Sequence, residues 1–203
     1  NDIQSKTKII VQLGSTELKK GDYTKAHNFY KKALLLAQEI KDDTLIATSY
    51  LNIANCMDFL ALIDSCRWYI DKAIKYSYTL NDTLLRGQAC NNLGIAYYYN
   101  GDYDSSIVYY EKAIKIYELL DDFEGSTDVR FNNASNYYAK GDMNFALKEY
   151  LISAENYQKI GNNYNKGMCL QNAGQLYSSI DLYDDALSVL TESLEIFQKI
   201  GSP

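Results

Sequence analysis

A chain of 203 residues, 47% hydrophobic and 23% charged, is long enough to bury one large core or a succession of smaller ones. Its 20 Lys and Arg against 26 Asp and Glu give a net charge of -6, which argues against nucleic acid as a partner of this region, since phosphate binding needs a concentrated basic face. No apolar run reaches bilayer length, so no membrane contact by this region is expected, and Asn1 to Lys6 lack the apolar core of a signal peptide; the four cysteines, expected as free core thiols, favour a reducing, cytoplasmic location, with a periplasmic sensor region of a membrane-anchored protein as the alternative.

The chain holds 20 Tyr and a single proline, Pro203, so helix can follow helix without interruption. Apolar residues recur at three and four, as in Tyr23, Ala26, Tyr30, Ala33 and Leu34, which predicts an all-α protein. A period of forty divides the sequence into five repeats, approximately 3–42, 43–82, 83–122, 123–162 and 163–202, each expected to hold two antiparallel helices. In the first, Gly14 stands on the first helix, Gly21-Asp22 marks the turn, and Tyr23, Ala26 and Ala33 begin the second helix. The second repeat keeps Ala54, Cys66 and Ala73 but reads Ala61-Leu62 at the turn. The third has Gly94, Gly101-Asp102, Ser106 and Ala113, and the fourth Ala134, Gly141-Asp142, Ala146 and Ser153. The fifth has Gly174, Asp181-Leu182, Ala186 and Ser193.

These columns of small residues let paired helices approach closely, and each Gly-Asp pair suits a left-handed helix end followed by a capping carboxylate. Asp42, Asp82, Asp122 and Asn162 suit the same capping role between repeats. Large residues at Tyr23, Ile63, Tyr103, Met143 and Tyr183, and at Ile40, Leu80, Leu120, Ile160 and Ile200, are expected to fill the space between repeats.

The order Leu93, Gly94, Tyr97, Ser106, Tyr110, Ala113, echoed by Ala134, Tyr137, Ala146, Tyr150, Ser153, resembles the tetratricopeptide repeat family in a long, forty-residue form. The resemblance covers all five repeats. It is similar in wording to the repeats of bacterial two-component sensors and transcription regulators, Pins-type polarity adaptors, kinesin light chains and Rap-type regulators. It implies a right-handed superhelix, an α-solenoid of about five antiparallel helix pairs forming one array over 1–203, expected to be part of a longer protein. The function it implies is a scaffold or sensor region of a signalling protein that binds a peptide or protein segment in a concave groove.

The groove wall of such an array is lined by the first helix of each pair. The column Gln12, Asn52, Asn92, Asn132, Asn172 offers a donor and an acceptor together, suited to the backbone of an extended peptide. In the resembling adaptors and kinesin light chains, asparagines at this place do that. The same amides could instead brace neighbouring helices, and both readings stay open. The wall continues with Ser15, Asn55, Ile95, Ser135 and Gln175, with Leu51, Asn91, Phe131 and Gln171, and with Tyr98, Tyr99 and Tyr138. It lacks the Lys and Arg pairs that clamp a C-terminal carboxylate.

No catalytic site is expected. Cys56, Cys66, Cys90 and Cys169 show no metal-binding spacing, His27 is the only histidine, and no phosphate-cradling loop or nucleophile-base pair is present, so neither metal nor other cofactor is expected. Two alternatives remain in view: self-association into a homo-oligomer through the array ends, and a Rap-like phosphatase or peptide-receptor regulator. The second would need catalytic residues from an additional helical bundle.

Overall fold

The computed structural model describes residues 2–60 and 62–201, so Ala61 of the irregular second turn and the terminal Ser202 and Pro203 lie outside the described residues. Among the described residues the structure is all helix. In order stand α1 (Asp2–Lys19), α2 (Tyr23–Glu39), α3 (Asp43–Phe59), α4 (Ile63–Thr79), α5 (Thr83–Tyr99), α6 (Tyr103–Leu119), α7 (Phe123–Ala139), α8 (Met143–Ile160), α9 (Asn163–Ser179) and α10 (Tyr183–Lys199). The chain divides into two compact halves, Asn1–Asp102 and Tyr103–Pro203, and the boundary falls inside the third repeat.

In the N-terminal half each of α1 to α4 packs on its successor, and α3 also meets α5. In the C-terminal half each of α6 to α9 does the same. Short turns between touching neighbours make successive helices antiparallel. The expected α-solenoid class is therefore what the structure shows.

The columns of small residues explain the packing. Ala26, Ala33, Ala54, Cys66, Ala73, Ser106, Ala113, Ala134, Ala146, Ser153, Ala186 and Ser193 are all buried, as are Gly14, Gly94 and Gly174. A methyl group on Gly14 would lie 2.6 Å from Tyr30 Cε1, and one on Gly174 would lie 2.5 Å from Leu190 Cγ. Glycine is needed at both because the opposing side chain occupies the place of a Cβ. Tyr30, Tyr110 and Tyr150 are buried in the core. The large-residue columns reach the repeat junctions less completely. Tyr23 stacks on Phe59 of the next repeat at 4.5 Å, but Leu120, Tyr183 and Ile200 are exposed.

The turns follow the expected chemistry with one addition. Gly21, Gly101 and Gly141 take positive φ, and the side chains of Asp22, Asp42, Asp82, Asp122, Asp142 and Asn162 accept a hydrogen bond from the backbone N–H three residues on. Leu62 and Leu182, which replace the aspartate in the second and fifth repeats, give their helices no side-chain cap. Between repeats, Lys41, Asn81 and Asp121 occupy the left-handed region that Gly161 takes at the end of α8. Asp42 also accepts from Gln4 Nε2 at 2.9 Å, tying α1 to the cap of α3. Asp42→Ala should therefore cost about 1–2 kcal/mol, read as a lower urea midpoint at unchanged slope.

Candidate functional site

The first helices of the repeats, α1, α3, α5, α7 and α9, carry the asparagine column. In the N-terminal half Asn52 and Asn55 lie on α3 and Asn91 and Asn92 on α5, all half-buried. Asn92 Nδ2 donates to Asn55 Oδ1 at 2.8 Å, an amide-to-amide bond between successive first helices. Asn91 Oδ1 is shielded from solvent and has no partner among the described residues. Tyr98 is half-buried and Tyr99 exposed, their rings edge to face at 5.4 Å.

In the C-terminal half Asn132 on α7 and Asn172 on α9 are half-buried, whereas Tyr138, Gln171 and Gln175 are exposed. Phe131 packs against both core clusters of this half, its ring 5.6 Å from that of Tyr150. Leu51, at the corresponding place in the second repeat, is 5% exposed and belongs to the core. Gln171, forty residues on from Phe131, lines a 330 Å³ cavity with Tyr164, Met168, Leu190, Ser193, Leu194 and Phe197. The column of Leu51, Phe131 and Gln171 thus turns toward the place where a following helix packs, one residue round the helix from the asparagine column.

A second cavity of 200 Å³ in this half has no counterpart in the sequence columns. Arg130 on α7 pairs there with Glu118 of α6 at 2.6 Å and with the buried Glu149 of α8 at 3.4 Å. Burial, and secondarily the charge of Glu111, raises the Tyr137 hydroxyl on its wall above the ordinary tyrosine value. Arg130, Glu118 and Glu149 do not recur at the period of forty, so no column could reveal them, whereas Tyr137 shares its column with Tyr97 and Tyr177. Their bonding is largely internal and forms an ion-paired brace between α6, α7 and α8.

Chemically reactive groups are muted. Burial pushes the thiols of Cys56 up to about 11 and of Cys66 and Cys169 up to about 12, which keeps them protonated and poor nucleophiles. His27 is half-buried, and burial followed by the charge of Lys31 lowers its pKa. Among the described residues no group of three His, Cys, Asp or Glu is placed to hold a metal ion, and no helix is long and apolar enough to cross a membrane.

Helix pairs repeating at forty residues, with small-residue seams and polar first-helix faces, define a helical-repeat protein of the kind that typically serves as a protein-interaction scaffold. Models of the tetratricopeptide repeat match residues 126–199, 87–118 and 7–40. The chain belongs to the tetratricopeptide repeat family, whose members are generally non-catalytic scaffolds. No curated protein sequence matches it significantly.

Solved structures share the fold. BtubC (BKLC) from P. vanneervenii superposes with a TM-score of 0.85 at 20% identity, over 99% of this chain and 83% of that one. A STAND signal-transduction ATPase with a tetratricopeptide repeat sensor, from Pyrococcus horikoshii, gives 0.85 at 15% identity over 96% of this chain but 30% of its own length. A Rap conjugation gene regulator of a plasmid, in complex with a Phr peptide, gives 0.80 at 18% identity over 98% of this chain and 55% of that one. At these identities the likeness is one of fold.

Proposed function

We propose that the chain is the scaffold or sensor region of a signalling protein, and that it binds an extended peptide or protein segment along its first-helix faces. The observation that carries this reading is the shared state of Asn52, Asn92, Asn132 and Asn172: each sits at the same repeat position, half-buried and still reached by solvent. A buried amide is committed to the core, and a fully exposed one is poorly oriented. A half-buried amide is held on one side and offered on the other. Asn92 illustrates the arrangement, because its Nδ2 is held by Asn55 while an amide retains further donor and acceptor capacity for a peptide backbone. The tyrosines Tyr98, Tyr99 and Tyr138 beside the column supply aromatic surface for side chains of the bound segment. The peptide-bound Rap regulator and the STAND repeat sensor, which share the fold, add support by analogy.

The test is selection of binders from a displayed library of unstructured peptides, followed by titration of the selected peptide against Asn92→Ala, Asn132→Ala and the double variant. Loss of two amide contacts is expected to weaken binding by about 2–3 kcal/mol, roughly 30- to 150-fold, with the helical circular dichroism unchanged. An affinity that stays the same while the melting temperature falls would show that the amides only brace the helices.

A further inference from the structure

The ion-paired brace of α6, α7 and α8 leaves part of its bonding capacity unused, and the unused part faces the 200 Å³ cavity between these helices. Two polar side chains on the cavity wall are almost fully buried, Asn133 of α7 at 4% exposure and Glu149 of α8 at 6%. Glu149 Oε2 accepts from Arg130 at 3.4 Å, but its Oε1 accepts from no described residue. Asn133 Oδ1 accepts from Asn136 at 3.5 Å, while its Nδ2 donates to none. A buried acceptor and a buried donor thus share one cavity, and each forgoes a bond that buried polar atoms ordinarily make.

Charge decides what the acceptor seeks. Glu111, Glu118 and Glu149 against Lys115 and Arg130, three acids less two bases, give the lining a charge of -1. The Arg130 guanidinium is already held between Glu118 at 2.6 Å and Glu149, and Lys115 is exposed. A cationic donor is therefore favoured beside Glu149 Oε1, because a charge-assisted bond is about twice as strong as a neutral one. Shape sets the size of that cation. The acids do not converge on a metal-ion position, and the space has room for several heavy atoms, a water's share of liquid volume being about 30 Å³. The rest of the wall is apolar: Ile114 is buried, and the rings of Tyr137 and Phe145 lie 4.0 Å apart, a surface for methylene groups and for the flank of an ammonium.

We infer that the cavity between α6, α7 and α8 binds a small aliphatic amine that also carries a neutral oxygen, as an amino alcohol does. The ammonium, which has three donors and no acceptor, donates to Glu149 Oε1. The methylene stem lies on Ile114 and Phe145, and the oxygen accepts from Asn133 Nδ2. This inference is independent of the peptide-binding reading, since no residue of the asparagine column lines the cavity.

The experiment follows the backbone amide shifts of the whole chain during titration with four end-substituted butanes: aminobutanol, butylamine, butanediol and hydroxybutyrate. Aminobutanol should shift the amides around the cavity in α6, α7 and α8 and saturate with a Kd on the order of 1 mM. Butylamine, which lacks the oxygen, should bind several-fold more weakly, and the diol and the hydroxy acid should give no saturable shift. Glu149→Gln should weaken aminobutanol binding by about tenfold or more, since it removes the charge from the buried acceptor. Lys115→Gln, at an exposed residue, removes a repelling charge and should tighten binding by about two- to threefold. The absence of a saturable aminobutanol shift at tens of millimolar would overturn the inference, as would an affinity unchanged in Glu149→Gln. Equal binding of any of the other three probes would overturn it too, hydroxybutyrate pointing instead to an anion site on Arg130 and Lys115. Should Glu149→Gln lose its helical circular dichroism, Lys115→Gln decides, and an affinity there no tighter than that of the wild type overturns the inference.

Discussion

Tyr157→Ala should lower the stability of the C-terminal half by about 3–5 kcal/mol, the cost of removing a large buried aromatic side chain. Tyr157 is 1% exposed and forms a cluster with Ala154, Cys169 and Leu170, so its ring is the surface on which α9 is seated against α8. Its hydroxyl donates to Asp128 Oδ1 at 2.5 Å, and burial followed by that carboxylate pushes the phenol pKa well above its ordinary value, which keeps the donor proton in place at every accessible pH. Two contributions are thus separable. Tyr157→Phe keeps the ring and loses only the hydrogen bond, and should cost about 1 kcal/mol, because Asp128 is exposed and regains water. In a repeat array stability is close to a sum over neighbouring contacts, so the damage should be local. Hydrogen exchange should accelerate first in α9 and α10, while α1 to α4 keep their protection. A loss below 1 kcal/mol for the alanine variant, or uniform acceleration across both halves, would show that α9 is not seated on this ring.

The fold was legible because its determinants repeat. A small residue at one position is weak information, but Gly14, Ala54, Gly94, Ala134 and Gly174 at a constant step fix which helix faces meet, and the same step carries the aspartate caps. What the sequence conceals is whatever occurs once. Arg130 with Glu118 and Glu149 forms a three-helix ion-paired cluster from residues that share no column. Lys41, Asn81 and Asp121 take the left-handed turn position where the sequence advertises no glycine. The candidate site is intermediate. The asparagine column is plain in the sequence and sits at a common depth, but a one-residue turn of the helix separates it from Leu51 and Phe131, which look like neighbours on the wall and are spent on packing. Distinguishing those two faces requires knowing the angle at which the next first helix arrives, and that angle is a tertiary quantity.

The second repeat, the least regular in sequence, also holds the group whose ionisation should matter most. Asp58 stands in the last turn of α3, where the other repeats place Leu18, Tyr98, Tyr138 and Ser178. Its Oδ1 is cut off from solvent and has no hydrogen-bond partner among the described residues, and burial raises its pKa from the ordinary 3.8 to about 6. A carboxylate in the last turn of a helix also faces the negative end of the macrodipole. The folded state therefore holds this proton more tightly than the unfolded state does. Between pH 4 and pH 6 the folded form binds more protons, so the contribution of Asp58 to stability falls as pH rises and is fully unfavourable above pH 6. A displacement of that size is worth about 3 kcal/mol for a fully shielded group, and the solvent screening of a half-buried one reduces the expected figure to about 1–2 kcal/mol. Asp58→Asn should accordingly stabilise the N-terminal half by that amount at pH 7, and the gain should shrink toward zero as pH falls to 4. The comparison is made between variant and wild type at each pH, so that the other carboxylates cancel. The neighbouring Cys66 thiol is raised to about 12 by burial and only then by the charge of Asp58, and at 1% exposure it meets a thiol reagent only when the fold opens, so the stabilised variant should react more slowly than the wild type at pH 7. A stability difference that does not change between pH 4 and pH 7 would mean that Asp58 is solvated or paired in the folded chain.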